Sequence, residues 1–216
     1  MGWSDGHNSI FGLNSISQLG RCAYCNKVFW LDDLEELGVL PKEGPRIGAV
    51  SRLYHWITRD SDGVLERERI WNATPWEWKN AKPAEMPDYF DLKIALADKG
   101  SLTPERELLV RRALWFHGND HLRLNRDGKP LRDTPRMSVS DARENMLAML
   151  DLIAEGNDSR STEKGELLRE LGRFEEAIEA LRSVTGDAKE QAELIIGFAQ
   201  ASDSVVREIW RSQYDF

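Results

Sequence analysis

Two pairs of side chains in this 216-residue sequence have the type and spacing for chemistry. The first is Cys22 and Cys25, the only cysteines, with two residues between them. Two thiolates at that separation can hold one tetrahedral metal ion without strain, and Zn2+ is the ion they suit. Completing four ligands would take Asp, water or one of the histidines His7, His55, His117 and His121. Three readings stay open: a metal site, a pair of thiols without metal, or a thiol–disulfide redox pair. A redox pair should follow a strand and open a helix. Here Asn26-Lys27-Val28-Phe29-Trp30 continues as a strand, which argues against redox work.

The second pair is His117 and His121, four residues apart and therefore expected on one face of a helix. The spacing mimics a zinc-protease helix, but that chemistry needs Glu directly after the first His as general base. Gly118 stands there instead. A site shared by Cys22, Cys25, His117 and His121 has suitable ligand types, though nothing local enforces its closure. The plainer reading is that one imidazole packs against or caps the helix end and the other is exposed. Around the histidines, Arg111, Arg112 and Arg123 offer guanidinium forks that suit either an anionic partner or the acidic C-terminal region. The second is preferred.

These side chains need a helix to carry them. Thr103 reads as its N-cap with Pro104 at the first helical position. Leu109, Ala113, Leu114, Trp115 and Phe116 then give an apolar arc too broad for a surface helix, predicting a buried spine. Before it, helical spacing recurs at Tyr89, Leu92 and Leu96. After it come a polar loop over 125–137, a helix opened by a Ser138–Asp141 capping box, and helices over about 161–171, 174–184 and 188–210, the last with Gly197 or Ser202 as a candidate break. On the N-terminal side, Val28–Leu31 reads as a strand and Asp32–Leu40 as one or two helical turns. The β-branched and aromatic run Ala49–Thr58 predicts a strand, paired through Ser61-Asp62-Gly63 with a second over Val64–Trp71. Residues 72–87 read as extended, tryptophan-anchored chain, and the cluster Trp71, Trp76 and Trp78 reads as lining a groove or, preferably, covering a core.

The net charge of −8 resides in residues 138–216, which hold 17 acidic and 9 basic side chains, while residues 1–137 balance. Residues 106–136 carry a local excess of basic groups. A basic centre beside an acidic region points to internal or subunit packing and makes nucleic acid an unlikely partner. Two cysteines exclude a disulfide framework. No secretory signal is expected from the first residues, and no run approaches the ~18 apolar residues of a membrane helix. A cytoplasmic protein that does not enter membranes is expected.

Arg21-Cys-Ala-Tyr-Cys25-Asn26-Lys27-Val28-Phe29 resembles one knuckle of a zinc ribbon, with Asn26 in the slot that takes left-handed dihedrals. The ribbon's second cysteine pair has no counterpart. Gly165-Glu-Leu-Leu168, Gly172-Arg-Phe174, Ala177, Leu181 and Val184 resemble one tetratricopeptide repeat, although Ser161, Lys164 and Leu168 depart from its first-helix pattern. That resemblance implies a helical hairpin over about 158–184 and, less directly, a peptide-binding scaffold. The whole layout is similar to bacterial proteins of uncharacterised function. The expected fold is α+β and predominantly α-helical. A knuckle and short-strand region over 1–83 precedes a region of packed antiparallel helices over 84–216, the two making separate units or one continuous domain. The expected function is a non-enzymatic protein-interaction or scaffold role with a protein partner or self-association. Cys22 and Cys25 would hold any Zn2+, and Arg111, Arg112 and Arg123 would serve the interaction surface. The alternative is a metal- or thiol-dependent enzyme using Cys22, Cys25 and a histidine.

Overall fold

Thr103 caps the central helix as its sequence predicts: its hydroxyl accepts the Arg106 amide at 3.3 Å, with Pro104 following. In the computed structural model, which describes residues 2–6, 18–38, 48–58, 63–124, 128–130, 137–153 and 158–210, this helix lies between two halves of the core. The strands are β1 (Gly2–Trp3), β2 (Leu19–Arg21), β3 (Val28–Trp30) and β4 (Glu208–Trp210). The helices on the N-terminal side are α1 (Ala49–Ile57), α2 (Val64–Ala73), α3 (Trp76–Lys79) and α4 (Tyr89–Ala97). Then come α5 (Pro104–Asn119), α6 (Val139–Leu152), α7 (Asp158–Glu170), α8 (Phe174–Leu181) and α9 (Lys189–Gln200). The described residues thus form an α+β protein that is mostly helical.

One face of α5 buries Val110, Ala113 and Leu114 against Leu92 of α4 and against Leu19 and Trp30 of the β2–β3 pair. Its other face buries Leu108 and Trp115 against Met146 and Met149 of α6 and Leu167 of α7. Helix α5 is therefore the spine its apolar arc predicted, with Leu109 and Phe116 half-buried at the margins. The start of α4 is fixed by a reciprocal box. Asp88 accepts the amides of Phe90 and Asp91 at 2.8 and 2.9 Å, and Asp91 accepts the Asp88 amide at 2.9 Å. At α6 only half of the expected box forms, with the Asp141 amide on Ser138 Oγ at 3.0 Å.

Helices α7 and α8 make a hairpin whose turn needs Gly172, at φ +76°. The Gly172 and Arg173 amides close that turn on the carbonyls of Arg169 and Leu168 at 2.9 and 2.8 Å. Gly165 lets the two helices touch, since a Cβ there would sit 2.4 Å from Leu181 Cγ. Strands β2 and β3 pair antiparallel, Leu19 opposite Trp30 and Arg21 opposite Val28. A second antiparallel pair joins β1 to β4, bringing Gly2 opposite Trp210.

Four local expectations fail. Ala49–Ile57 is a helix rather than a strand, because Val50, Leu53, Tyr54 and Ile57 repeat at the helical period and that period prevails over β-propensity. Val64–Ala73 is also helical, so there is no β-hairpin between these runs; α1 and α2 are instead tied by Arg52 and Glu68 at 3.1 Å. Residues 72–87 are not wholly extended, since α2 runs on to Ala73 and α3 follows Pro75. After β3 only a single 3-10 turn forms over Leu31–Asp33, and Leu34 turns extended. The last helix ends at Gln200, where Ser202 takes φ +54°, and the chain then leads into β4. Most of the polar loop over 125–137 lies outside the described residues.

Candidate functional site

Cys22 leaves β2 and Cys25 sits in the tight turn before β3. The turn closes twice, with the Cys22 amide donating to Lys27 O and the Asn26 amide to Cys22 O, both at 2.9 Å. Asn26 has φ +58°, the left-handed slot expected of it. The backbone amides of Tyr24 and Cys25, and the Cys25 thiol, hydrogen-bond to Cys22 and lower its pKa below the usual thiol value. Cys22 is half-buried, Cys25 is exposed, and both are thiols. The turn has a firm base. Arg21 bonds Glu85 through Nε at 3.0 Å and reaches Asp88 and Asp91 at 3.4 Å. Tyr24 Oη donates to Asn80 O at 3.2 Å and accepts the Lys82 amide at 3.0 Å.

Two thiols on one closed turn are the ligand types that a tetrahedral metal takes. Among the described residues no third His, Cys, Asp or Glu joins the pair to make a ligand group. His55, His117 and His121 are thus not gathered onto the cysteines, and His7 lies outside the described residues.

The other candidates are placed elsewhere. The α-helix gives way to a 3-10 turn at Asp120, which takes His121 off the regular helical stack. Its Nδ1 lies 2.8 Å from Gly118 O, closing the helix end, while His117 Nδ1 stands 3.6 Å from Asp120 Oδ2. Arg112 grips Glu163 of the acidic region through two bonds at 2.5 and 2.7 Å. Arg111 turns back to Glu107 at 2.7 Å and touches Asn145 at 3.4 Å. Arg123, expected on an interaction surface, is instead fully buried, because Asp5, Asp120 at 2.7 Å and Phe116 O at 2.8 Å hold its guanidinium inside. Of the tryptophans, Trp71 and Trp78 are half-buried and Trp76 is 73% exposed.

Arg123 belongs to a buried polar cluster that the sequence does not announce. Asn119 donates to Asp5 at 3.1 Å and to Glu170 at 3.2 Å, and Trp115 Nε1 donates to Glu170 at 2.9 Å. Arg169 is fully buried, bound to Glu166 at 2.7 and 2.8 Å, to the Asp203 carbonyl and to Ser4 Oγ at 3.4 Å. Burial, with Glu166 and Asp5 nearby, pushes the Glu170 carboxyl well above its ordinary range although the residue as a whole is only half-buried. Burial also raises Glu166, against the pull of Arg169. Beside the cluster opens a cavity of about 320 Å³ whose walls include Ser4, Asp5, Arg112, Phe116, Glu163 and Gln191. Arg112 and Glu163 bond each other, Asp5 holds the buried Arg123, and Ser4 Oγ accepts the Arg207 amide at 2.9 Å, so among the described residues these side chains present no nucleophile–base pair. One signal was available in the sequence: Glu166, Arg169 and Glu170 flank Leu167 and Leu168 on a helix rich in core positions. Asp5 gave none.

A different surface stands out on α1. It buries no residue, and Val50, Leu53, Tyr54, Trp56 and Ile57 are 85, 56, 63, 73 and 65% exposed. Five exposed apolar groups gathered on one helix exceed the scatter of single apolar side chains usual on a surface. No helix among the described residues is long and apolar enough to cross a membrane. No family model matches the chain, and no curated protein or solved structure matches it significantly.

Proposed function

We propose that this is a non-enzymatic cytoplasmic protein-interaction protein whose working surface is the apolar face of α1. The carrying observation is the exposure of Val50, Leu53, Tyr54, Trp56 and Ile57 on one helix. The spacing of Val50, Leu53, Tyr54 and Ile57 at i, i+3, i+4 and i+7 favours a partner helix with an apolar face. The buried side of the molecule serves as the frame. In it the tetratricopeptide-like hairpin packs its inner residues Leu168 and Ala177 on Ala199 of α9 rather than leaving a groove there. Zn2+ at Cys22 and Cys25 is part of this reading, as a structural ion.

The test places a photo-crosslinking amino acid at Tyr54 in cells and sequences what it captures. The expected product is a cross-link to an apolar segment, absent from a Leu53→Glu/Trp56→Glu variant that melts within a few degrees of the parent. Cross-links that are absent, scattered, or indifferent to the double substitution overturn the reading.

A second reading is a metal- or thiol-dependent enzyme using Cys22 and Cys25, two free thiols on one turn with Cys25 exposed. Against it stands the lack of a third ligand-type side chain at the pair among the described residues.

A further inference from the structure

We infer that two copies of this chain share one Zn2+, each giving Cys22 and Cys25, so that the metal centre is also a dimer contact. The inference rests on the reading of the cysteine turn as a metal site. A structural zinc needs four ligands, and this turn supplies two. The sequence from Cys22 to Lys27 contains no carboxylate or imidazole, and among the described residues none arrives from elsewhere. One chain thus builds half a site, with the turn closed by two backbone hydrogen bonds and Asn26 in the left-handed slot, and among the described residues leaves the other half open.

The open half faces outward. Tyr24, Cys25, Asn26 and Lys27 are all exposed, with Tyr24 at 66%. Among the described residues, this exposed side leaves room for a second turn to approach along a two-fold axis through the metal, the symmetry of most homodimers. The charges match as well. Four thiolates around Zn2+ leave a centre of net −2. Each turn carries Lys27, and Lys82 holds its ammonium 5.3 Å from the Tyr24 ring. Two copies therefore bring four ammonium groups around a dianion. With no metal between them the same groups would repel, so association should depend on zinc. The turn is held on β2, β3 and α4 by Arg21 and Tyr24, so a partner meets a preformed surface.

The test uses the full chain, reduced and stripped with chelator, then titrated with Zn2+. Mass is followed by light scattering and metal content by native mass spectrometry. The expected result is a rise from 24.7 kDa to about twice that mass, saturating at one zinc per two chains and reversed by EDTA. Cobalt in place of zinc should give the absorption of a tetrahedral four-sulfur site. Cys22→Ser and Cys25→Ser should each abolish dimer and metal binding together while leaving the circular dichroism unchanged, since both lie in a surface turn. One zinc per monomer would overturn the sharing while leaving a metal site, closed within the chain by a residue such as His7. No zinc at micromolar concentrations would overturn both the sharing and the metal site. A dimer that survives Cys22→Ser without zinc would place self-association elsewhere and also overturn the inference.

Discussion

Glu170 is the residue whose surroundings conflict most. It accepts Trp115 Nε1 and Asn119 Nδ2, yet burial and the nearby carboxylates of Glu166 and Asp5 favour its neutral form. Its folded pKa is raised, so between the ordinary carboxylate range and that raised value the folded protein binds more proton than the unfolded chain. Stability must therefore fall as pH climbs through this window and rise again on mild acidification. Glu166 adds a change of the same sign. Asp33 and Asp203, held low by Arg106 and Arg207, lose their contribution only at more acidic pH. We expect the thermal midpoint to be higher at pH 5.5 than at pH 7.5. Glu170→Gln should raise the midpoint at pH 7.5 and flatten the slope without abolishing it, because Glu166 remains. A parent protein less stable at pH 5.5, or a variant with the parent's slope, would show that Glu170 is charged in the fold.

At the scale of elements, the α7–α8 hairpin depends on the space that Gly165 leaves for Leu181. Gly165→Ala improves helix propensity by up to ~1 kcal/mol but forces Leu181 to move in a packed core, which costs about 1–3 kcal/mol. The net effect in urea denaturation should be destabilising, and Leu181→Val in the same chain should recover part of it. A neutral or stabilised Gly165→Ala would mean the helices are less closely apposed. This hairpin was legible because its cue is local: an apolar period of 3.6 with small residues at the contact. The same held for α4 through its period alone, and for α5 and α6, whose caps at Thr103 and Ser138 agree with that period. Where propensity and period disagreed, as in α1, the aromatic and β-branched composition misled. The knuckle turn was visible because two cysteines and one Asn determine it. The cluster of Asp5, Arg123, Arg169 and Glu170 stayed hidden because its partners are far apart in sequence; Asp5 and Arg123, for example, are separated by 118 positions.

For the whole molecule, residues 2–5 act as a clasp. Gly2 and Trp3 pair with β4, the Ser4 amide donates to Arg207 O at 2.7 Å, and Asp5 neutralises the buried Arg123. Removing one member of a buried ion pair leaves an uncompensated charge and costs about 3–5 kcal/mol. Asp5→Ala should lower stability by that amount in equilibrium denaturation. A loss under about 1 kcal/mol would mean that Asp120 alone suffices for Arg123.

The clasp also imposes an order of events in time. Ser4 Oγ waits for an amide 203 positions downstream. At ordinary rates of synthesis that is a delay on the order of 10–40 s, during which β1 has no strand to pair with. A contact with so long a loop to close forms late, after α5 has gathered its neighbours. Asp5→Ala should accordingly leave the refolding rate near that of the parent and express its cost as faster unfolding. The side chains that finish this protein leave the ribosome long before the strand they pair with.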